Sequence, residues 1–162
     1  MTPRERIFML TEREITENFE DYKKFRHLYI AAFPKEERVP VKYLMKHGGE
    51  SELIACYDGE TFCGFYSTLT FGDVTHILFI AIAEELRDRG YGSALLGLIS
   101  RRYPKNRIIL DMEAENPSAP NNEQRLRRKA FYEKNGYTES GIEYVWRKVP
   151  YKILIKNGSI TE

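Results

Sequence analysis

The run Arg87-Asp88-Arg89-Gly90-Tyr91-Gly92-Ser93 has the composition of an anion site. It follows an apolar run, His76 to Ala83, and opens an apolar-periodic segment, Ala94 to Ile99. A strand that ends in an Arg/Gly-rich turn and enters a helix aims several backbone N–H groups at one place, and the helix N-terminus adds partial positive charge. Gly90 and Gly92 let the backbone approach a phosphate without side-chain interference, while Arg87 and Arg89 add charge-assisted hydrogen bonds. A phosphate-bearing cofactor is the expected ligand. The loop has no Lys-Ser or Lys-Thr pair of the P-loop kind, because Ser93-Ala94 follows Gly92. It also lacks the third glycine of a dinucleotide fingerprint. Gly97 comes too late for that role, and Asp111 downstream of a single GxG is weak support.

Arg-x-x-Gly-x-Gly after a strand resembles the acyl-CoA pyrophosphate loop of the GCN5-related N-acetyltransferase (GNAT) superfamily, on Arg87, Gly90 and Gly92. A second piece, Ala130-Phe131-Tyr132-Glu133-Lys134-Asn135-Gly136-Tyr137, resembles that superfamily's Phe/Leu-Tyr-Glu-x-x-Gly-Phe/Tyr helix end. The two motifs occur in the family's order and spacing. The resemblance implies acetyl-CoA as co-substrate and a primary amine as acceptor. It implies a cofactor contact along Arg87, Asp88, Arg89, Gly90, Tyr91, Gly92 and Ser93, and pairing of the pantetheine arm with the backbone of Ile80-Ala81-Ile82. It also implies that Tyr132 protonates the departing thiolate. A phenol with a pKa of about 10 stays protonated at neutral pH and suits that work. The alternative for Tyr132 is an aromatic packed against the sheet, as expected of Phe131.

An amine arrives as ammonium and must lose a proton before it attacks. The candidates are His76, Glu113 and, more remotely, Glu36, Glu37 and Glu115. His76 stands where some relatives carry a glutamate base, and imidazole, with an intrinsic pKa of about 6.5, is matched to the task. A lone histidine on an apolar strand is otherwise simply packed. Glu113, leaving the next strand, could bind the amine instead. Water relays serve many relatives, so a dedicated base is not required. Arg125 and Arg128, on one helical stripe with Tyr132, stand where many relatives carry Asn and Ala. They are read either as contacts to CoA phosphates or an acidic acceptor, or as salt-bridged surface residues. Asn121 or Asn122 is a replacement for the usual Asn contact, so Asn121 and Arg128 join the cofactor-binding candidates. Glu84 and Glu85 read as solvated. Glu36 and Glu37, in the charged connector Phe33 to Pro40, could attract a cationic amine beside Phe33 and Tyr29, or form a solvated loop.

The elements that must position these residues read as strand, two helices, three strands, helix, strand, helix and two strands. The first strand is predicted over Arg6 to Thr11, then a helix capped at Thr16 and ended by Pro34, and a short one over Val41 to Met45 stopped by His47-Gly48-Gly49. A hairpin, Glu52–Tyr57 with Thr61–Phe71, turns at Asp58-Gly59, and Val74–Ala83 follows Gly72-Asp73. The helix opened by Gly92-Ser93 ends near Tyr103-Pro104. Strand Arg107–Glu113, helix Glu123–Asn135 with a left-handed cap at Gly136, and strands Thr138–Arg147 and Tyr151–Lys156 complete the chain. The resemblance implies an α/β fold: a mixed sheet of about seven strands, splayed between the fourth and fifth, flanked by about four helices. It covers nearly the whole chain, taken as one domain over 1–162.

The 162 residues, 42% hydrophobic and 30% charged, suit one globular domain. A net charge of +1 gives no support for a nucleic-acid or membrane surface. No apolar run is long enough to span a bilayer, no signal-peptide core opens the chain, and a cytoplasmic location is expected. Cys56 and Cys63 flank the hairpin turn. A cross-strand disulfide is conceivable, but packed thiols are expected in a reducing compartment. Neither cysteine has a metal-ligand partner at useful spacing, and the three histidines are scattered, so no metal is expected. Three rivals remain: a non-catalytic CoA-binding regulatory module, a nucleotide-binding enzyme, and a nucleic-acid binder using Arg125 to Lys129. Monomer and homodimer are both compatible with the sequence.

Overall fold

The computed structural model describes residues 9–45 and 49–160. Strand β1 (Leu10–Glu14) is followed by helix α1 (Tyr22–Ala32) and a 3-10 turn at Val41–Tyr43. Strands β2 (Ser51–Asp58), β3 (Thr61–Phe71) and β4 (Val74–Ile82) form an antiparallel meander. A 3-10 turn at Glu84–Leu86 leads into α2 (Tyr91–Arg102), then β5 (Arg107–Glu113), α3 (Asn122–Lys134), β6 (Thr138–Trp146) and β7 (Val149–Lys156). The strands make one mixed sheet in the order β1-β2-β3-β4-β5-β7-β6. The fold class and the splay agree with expectation. Among the described residues there are three α-helices, because Val41–Tyr43 closes only one tight turn.

Period-two alternation in the central strands feeds two cores, one on each face of the sheet. Ile54, Cys56, Tyr66, Ile77 and Leu110 meet Leu95 and Ile99 of α2 and Tyr132 of α3. Leu53, Ala55, Tyr57 and Phe65 turn the other way, onto α1. That second core is aromatic: Phe25 sits edge-on to Phe65 at 4.8 Å between centroids, and Phe33 to Phe79 at 4.9 Å.

Several local expectations are corrected. The described part of the first strand runs Leu10–Glu14, beyond Thr11, as a charged edge strand; Arg6, Ile7 and Phe8 lie outside the described residues, as does the His47-Gly48 stop. Helix α1 does not begin at Thr16. Turns closed by Phe19 N–H to Thr16 O and Tyr22 N–H to Phe19 O intervene. Asp21, at the helix start, accepts a 2.6 Å bond from the Tyr57 hydroxyl and caps nothing. The two cysteines are free and buried. They do not face each other, because Cys56 pairs with Gly64 and the register slips beside it.

The feature that shapes the site is in β4. Parallel pairing with β5 covers only Val74 to Ile77, opposite Arg107 to Leu110. At that point a β-bulge interrupts pairing with β3: Thr68 faces Ile77, Ser67 faces Phe79, and Leu78 is the extra residue. Leu78 and Phe79 both lie toward the α1 core, whereas Ile80 and Ile82 pack toward α2. A bulge bends its strand and raises its twist, and here β4 and β5 part.

Candidate active site

Beyond Ile77, β4 keeps β3 on one edge and has no strand on the other. Antiparallel strands bond through alternate residues. The Ala83 N–H bonds to Cys63 O at 2.7 Å, so Ala81 also faces β3, and its carbonyl oxygen points at Gly64. The groups on the open edge are therefore those of Ile80 and Ile82. Arg87 Nε lies 3.4 Å from the Ile82 carbonyl there. Of the three residues expected to line this edge, Ile80 and Ile82 have no strand partner there, the Ile82 carbonyl meeting Arg87 instead, and Ala81 is committed to β3.

The open edge leads directly to the N-terminus of α2. Asp88 (φ +62°) and Gly90 (φ +89°) take left-handed conformations that wind the loop tightly. The first intrahelical bond runs from Ala94 N–H to Gly90 O, and no side chain caps the helix. The N–H groups of Gly92 and Ser93 are thus left for an external acceptor. Arg87, Asp88 and Arg89 are exposed. The Tyr91 ring is buried and its hydroxyl donates to Asp58 at 2.6 Å, fixing the loop to the β2–β3 hairpin. Gly92 has a second reason to be glycine. A Cβ there would fall 2.9 Å from the ring tip of Phe131 on α3. Ser93 Oγ accepts a 3.2 Å bond from Asn135.

Tyr132 lies on the α3 face toward the sheet, 9% exposed, with its ring 5.9 Å from that of Tyr137. Its hydroxyl has no hydrogen-bond partner among the described residues. Burial pushes its pKa up, and the Arg128 charge partly opposes this. Arg128 is exposed and makes no hydrogen bond or ion pair among the described residues. Its field reaches both Tyr132 and Glu37. Arg125 behaves differently. It is 8% exposed, bonds Asn121 Oδ1 at 2.9 Å and Ala114 O at 3.0 Å, and pairs with Glu113 Oε2 at 2.6 Å. Asn121 and Glu113 are therefore held within one clamp between α3 and β5.

His76 sits where β4 and β5 are still paired. Its Nε2 is 3.0 Å from Asp111 Oδ1, and the Tyr144 hydroxyl of β6 donates to Asp111 Oδ2. Burial pushes the Asp111 carboxyl up, but the bonds from His76 and Tyr144 outweigh it and hold the pKa below the usual carboxylate value. Beside them is a recess of about 230 Å³ lined by Val39, Leu44, His76, Leu78, Phe79 and Asp111. Tyr144 stacks on Tyr151 at 5.4 Å, and the Tyr151 hydroxyl donates to Glu37 at 3.4 Å. Burial and the charge of Glu113 raise the Glu37 pKa, although Tyr151 and Arg128 pull it back. Phe33 and Tyr29, in contrast, pack into the aromatic core. Asp111, Tyr144 and Tyr151 did not stand out as site residues in the sequence. The one signal was a carboxylate within the apolar run Ile108-Ile109-Leu110-Asp111-Met112.

Among the described residues no group of three or more His, Cys, Asp or Glu is placed to hold a metal, and no helix is long and apolar enough to cross a membrane.

No curated protein sequence matches the chain. Solved structures do. A Bacteroides thetaiotaomicron protein assigned to the GNAT acetyltransferase family superposes with a TM-score of 0.76 at 23% identity, covering 91% of this chain and 87% of its own. An aminoglycoside 6'-N-acetyltransferase solved with coenzyme A gives 0.68 at 17% identity, with coverages of 90% and 96%. A GNAT-family acetyltransferase from Elizabethkingia anophelis with acetyl-CoA bound gives 0.61 at 16% identity, with coverages of 91% and 97%. These likenesses concern the fold. Residues 49–139, from just before β2 into β6, match the acetyltransferase (GNAT) domain model, and the chain belongs to the GNAT acetyltransferase family.

Proposed function

We propose that the protein is an acetyl-CoA-dependent N-acetyltransferase that moves the acetyl group to a primary amine by direct attack in a ternary complex. The observation that carries this reading is the open β4 edge at Ile80 and Ile82 running straight into the uncapped N-terminus of α2. The edge offers amide and carbonyl groups to a pantetheine arm as a strand would. The N–H groups of Gly92 and Ser93, with Arg87 and Arg89, offer a pyrophosphate site. Acetyl-CoA supplies the thioester. A backbone N–H on the open edge polarises its carbonyl, and the partnerless Tyr132 hydroxyl gives its proton to the departing sulfur. Of the two leading base candidates, Glu113 is occupied by Arg125, so His76 takes the proton that the ammonium must lose. Arg128 is free to meet a phosphate or an acidic group of the acceptor, while Asn121 acts through Arg125.

The test is thermal unfolding with acetyl-CoA, CoA, ATP and NAD in parallel, followed by thiol release with a panel of amines. A ligand at a hundredfold excess over its Kd stabilises by about 2.7 kcal/mol. Stabilisation by acetyl-CoA and CoA that Arg87→Glu with Arg89→Glu abolishes, and amine-dependent thiol release, are expected. Stabilisation without thiol release would favour the regulatory module. Stabilisation only by ATP or NAD would overturn the reading. Gly92→Glu is a poor probe, because the new side chain would meet Phe131.

A further inference from the structure

The His76–Asp111–Tyr144 chain draws on three strands, and its order settles which ring nitrogen of His76 is free. Asp111 is a carboxylate that accepts only, since its pKa is held low and its other oxygen already receives the Tyr144 hydroxyl. The bond at Nε2 therefore requires a proton on Nε2, and in neutral imidazole that leaves the lone pair on Nδ1. Nδ1 has no partner among the described residues, and the ring lines the recess bounded by Val39, Leu44, Leu78 and Phe79.

We infer that Asp111, backed by Tyr144, is a positioning residue that holds His76 in the Nε2–H tautomer so that Nδ1 accepts the proton of the acceptor's ammonium group. The inference rests on the acetyl-transfer reading for the identity of the proton donor, but not for the tautomer. In the step, one N–H bond of R–NH3+ breaks and its electron pair stays on the amine nitrogen. The proton moves to Nδ1, and the resulting imidazolium keeps its Nε2–H on the Asp111 carboxylate, which stabilises the charge. The ionisable groups around this chain are Asp111 from β5, Tyr144 from β6, Tyr151 from β7 and Glu37 from the connector after α1. Asp111 is the one in direct contact with the ring. Tyr151 and Glu37 act on Tyr144, whose hydroxyl is kept protonated first by burial and then by its bond to Asp111.

The experiment combines nitrogen-15 NMR of the histidine side chains at pH 8 with kinetics of thiol release from acetyl-CoA. The acceptors are benzylamine, 1,5-diaminopentane and an alanine-initiated tripeptide. In the wild-type protein His76, assigned through its loss in His76→Ala, should give the Nε2–H pattern. Asp111→Asn, whose amide can donate to Nε2, should shift it toward Nδ1–H. The kcat should fall about a hundredfold or more in Asp111→Asn and in His76→Ala, with KM for acetyl-CoA unchanged. The double variant should be no worse than His76→Ala. Tyr144→Phe keeps the tautomer and should lower kcat less. An Nδ1–H or evenly mixed wild-type tautomer, or no change in Asp111→Asn, would overturn the inference, and so would additive losses in the double variant. If the tautomer is held and lost as described but none of the amines is acetylated, the clamp on His76 stands and the acetyl-transfer reading fails.

Discussion

Arg125 of α3 reaches Glu113 of β5 with 2.6 Å between Nη2 and Oε2, in a contact where the arginine side chain is 9% exposed. The same guanidinium bonds the Ala114 carbonyl and Asn121. It therefore ties the helix that carries Tyr132 to the strand that carries Asp111. Removing one partner of such a pair leaves the other charge buried and unmatched, so Arg125→Ala should cost about 3 kcal/mol in chemical denaturation. Arg125→Lys keeps the charge but loses the forked geometry and should fall between. Were Arg125 instead a contact to the acceptor or to CoA, Arg125→Ala would raise KM and leave stability unchanged.

Tyr132→Phe should leave the unfolding midpoint close to wild type, since the hydroxyl has no hydrogen-bond partner among the described residues to lose. The kcat for thiol release should fall about a hundredfold, the low end of what an acid contributes. Because burial raises the phenol pKa above its ordinary 10.0, this group stays protonated through the neutral and mildly alkaline range. A kcat measured up to pH 9.5 should show no decline assignable to it. An unchanged kcat in Tyr132→Phe would return Tyr132 to the role of a packing aromatic.

Glu115 lies between Lys129 and Lys152, and Glu139 bonds the same two lysines at 2.9 and 2.7 Å. Hydrogen bonds from Lys129 and Lys152 hold the Glu115 carboxyl at about 2, below its ordinary 4.5. A depressed folded-state pKa contributes stability that is fully present above the unfolded value. It is lost as pH falls from about 4.5 toward 2. Chemical denaturation at pH 7, 4 and 3 should show this decline. It should be shallower in Glu115→Gln, which starts less stable at pH 7. Equal slopes for the two proteins would show that the cluster is solvated rather than paired.

The β6–β7 hairpin closes through Arg147 (φ +49°) and Lys148 (φ +67°), two left-handed positions held by residues with a Cβ. Such turns favour Asn and Gly, and the left-handed conformation costs about 1 kcal/mol for an ordinary residue. Arg147 also lies 5.6 Å above the Trp146 ring, so it is the less suitable place to substitute. Lys148→Gly should raise unfolding stability by up to about 1 kcal/mol without altering acetyl-CoA binding. A loss of stability would mean that the lysine has contacts beyond the turn.

Local signals carried much of the architecture. Apolar runs between Gly, Pro and Asn breakers located β2 through β5, and strand Arg107–Glu113 has the bounds read from its sequence. The Arg-x-x-Gly-x-Gly motif was visible because all its parts are contiguous. What escaped notice depends on register. His76 lies opposite Ile109 across β4 and β5, and nothing local says that Asp111, two residues on, comes within reach of its ring. Likewise, Gly92 read as clearance for a phosphate, whereas the neighbour that fills its space is Phe131 from another helix. Asp21 looked like part of a helix, yet its carboxylate is taken by Tyr57 from β2. Contacts between distant segments overrode local preference in each case.

Leu78 is a slip of phase. Along β4 the chain spends one residue there without advancing against β3, and every later side chain changes face as a result. Delete it, and Phe79 would follow Ile77 in strict alternation: Phe79 and Ala81 would keep the aromatic layer on α1, Ile80 and Ile82 would keep α2, and the bend alone would go. No substitution at position 78 removes that bend, since any side chain still occupies the extra step. The parting of β4 from β5 is set by a count of residues, one more on β4 than on β3, and deleting Leu78 would straighten the strand where substituting it would not.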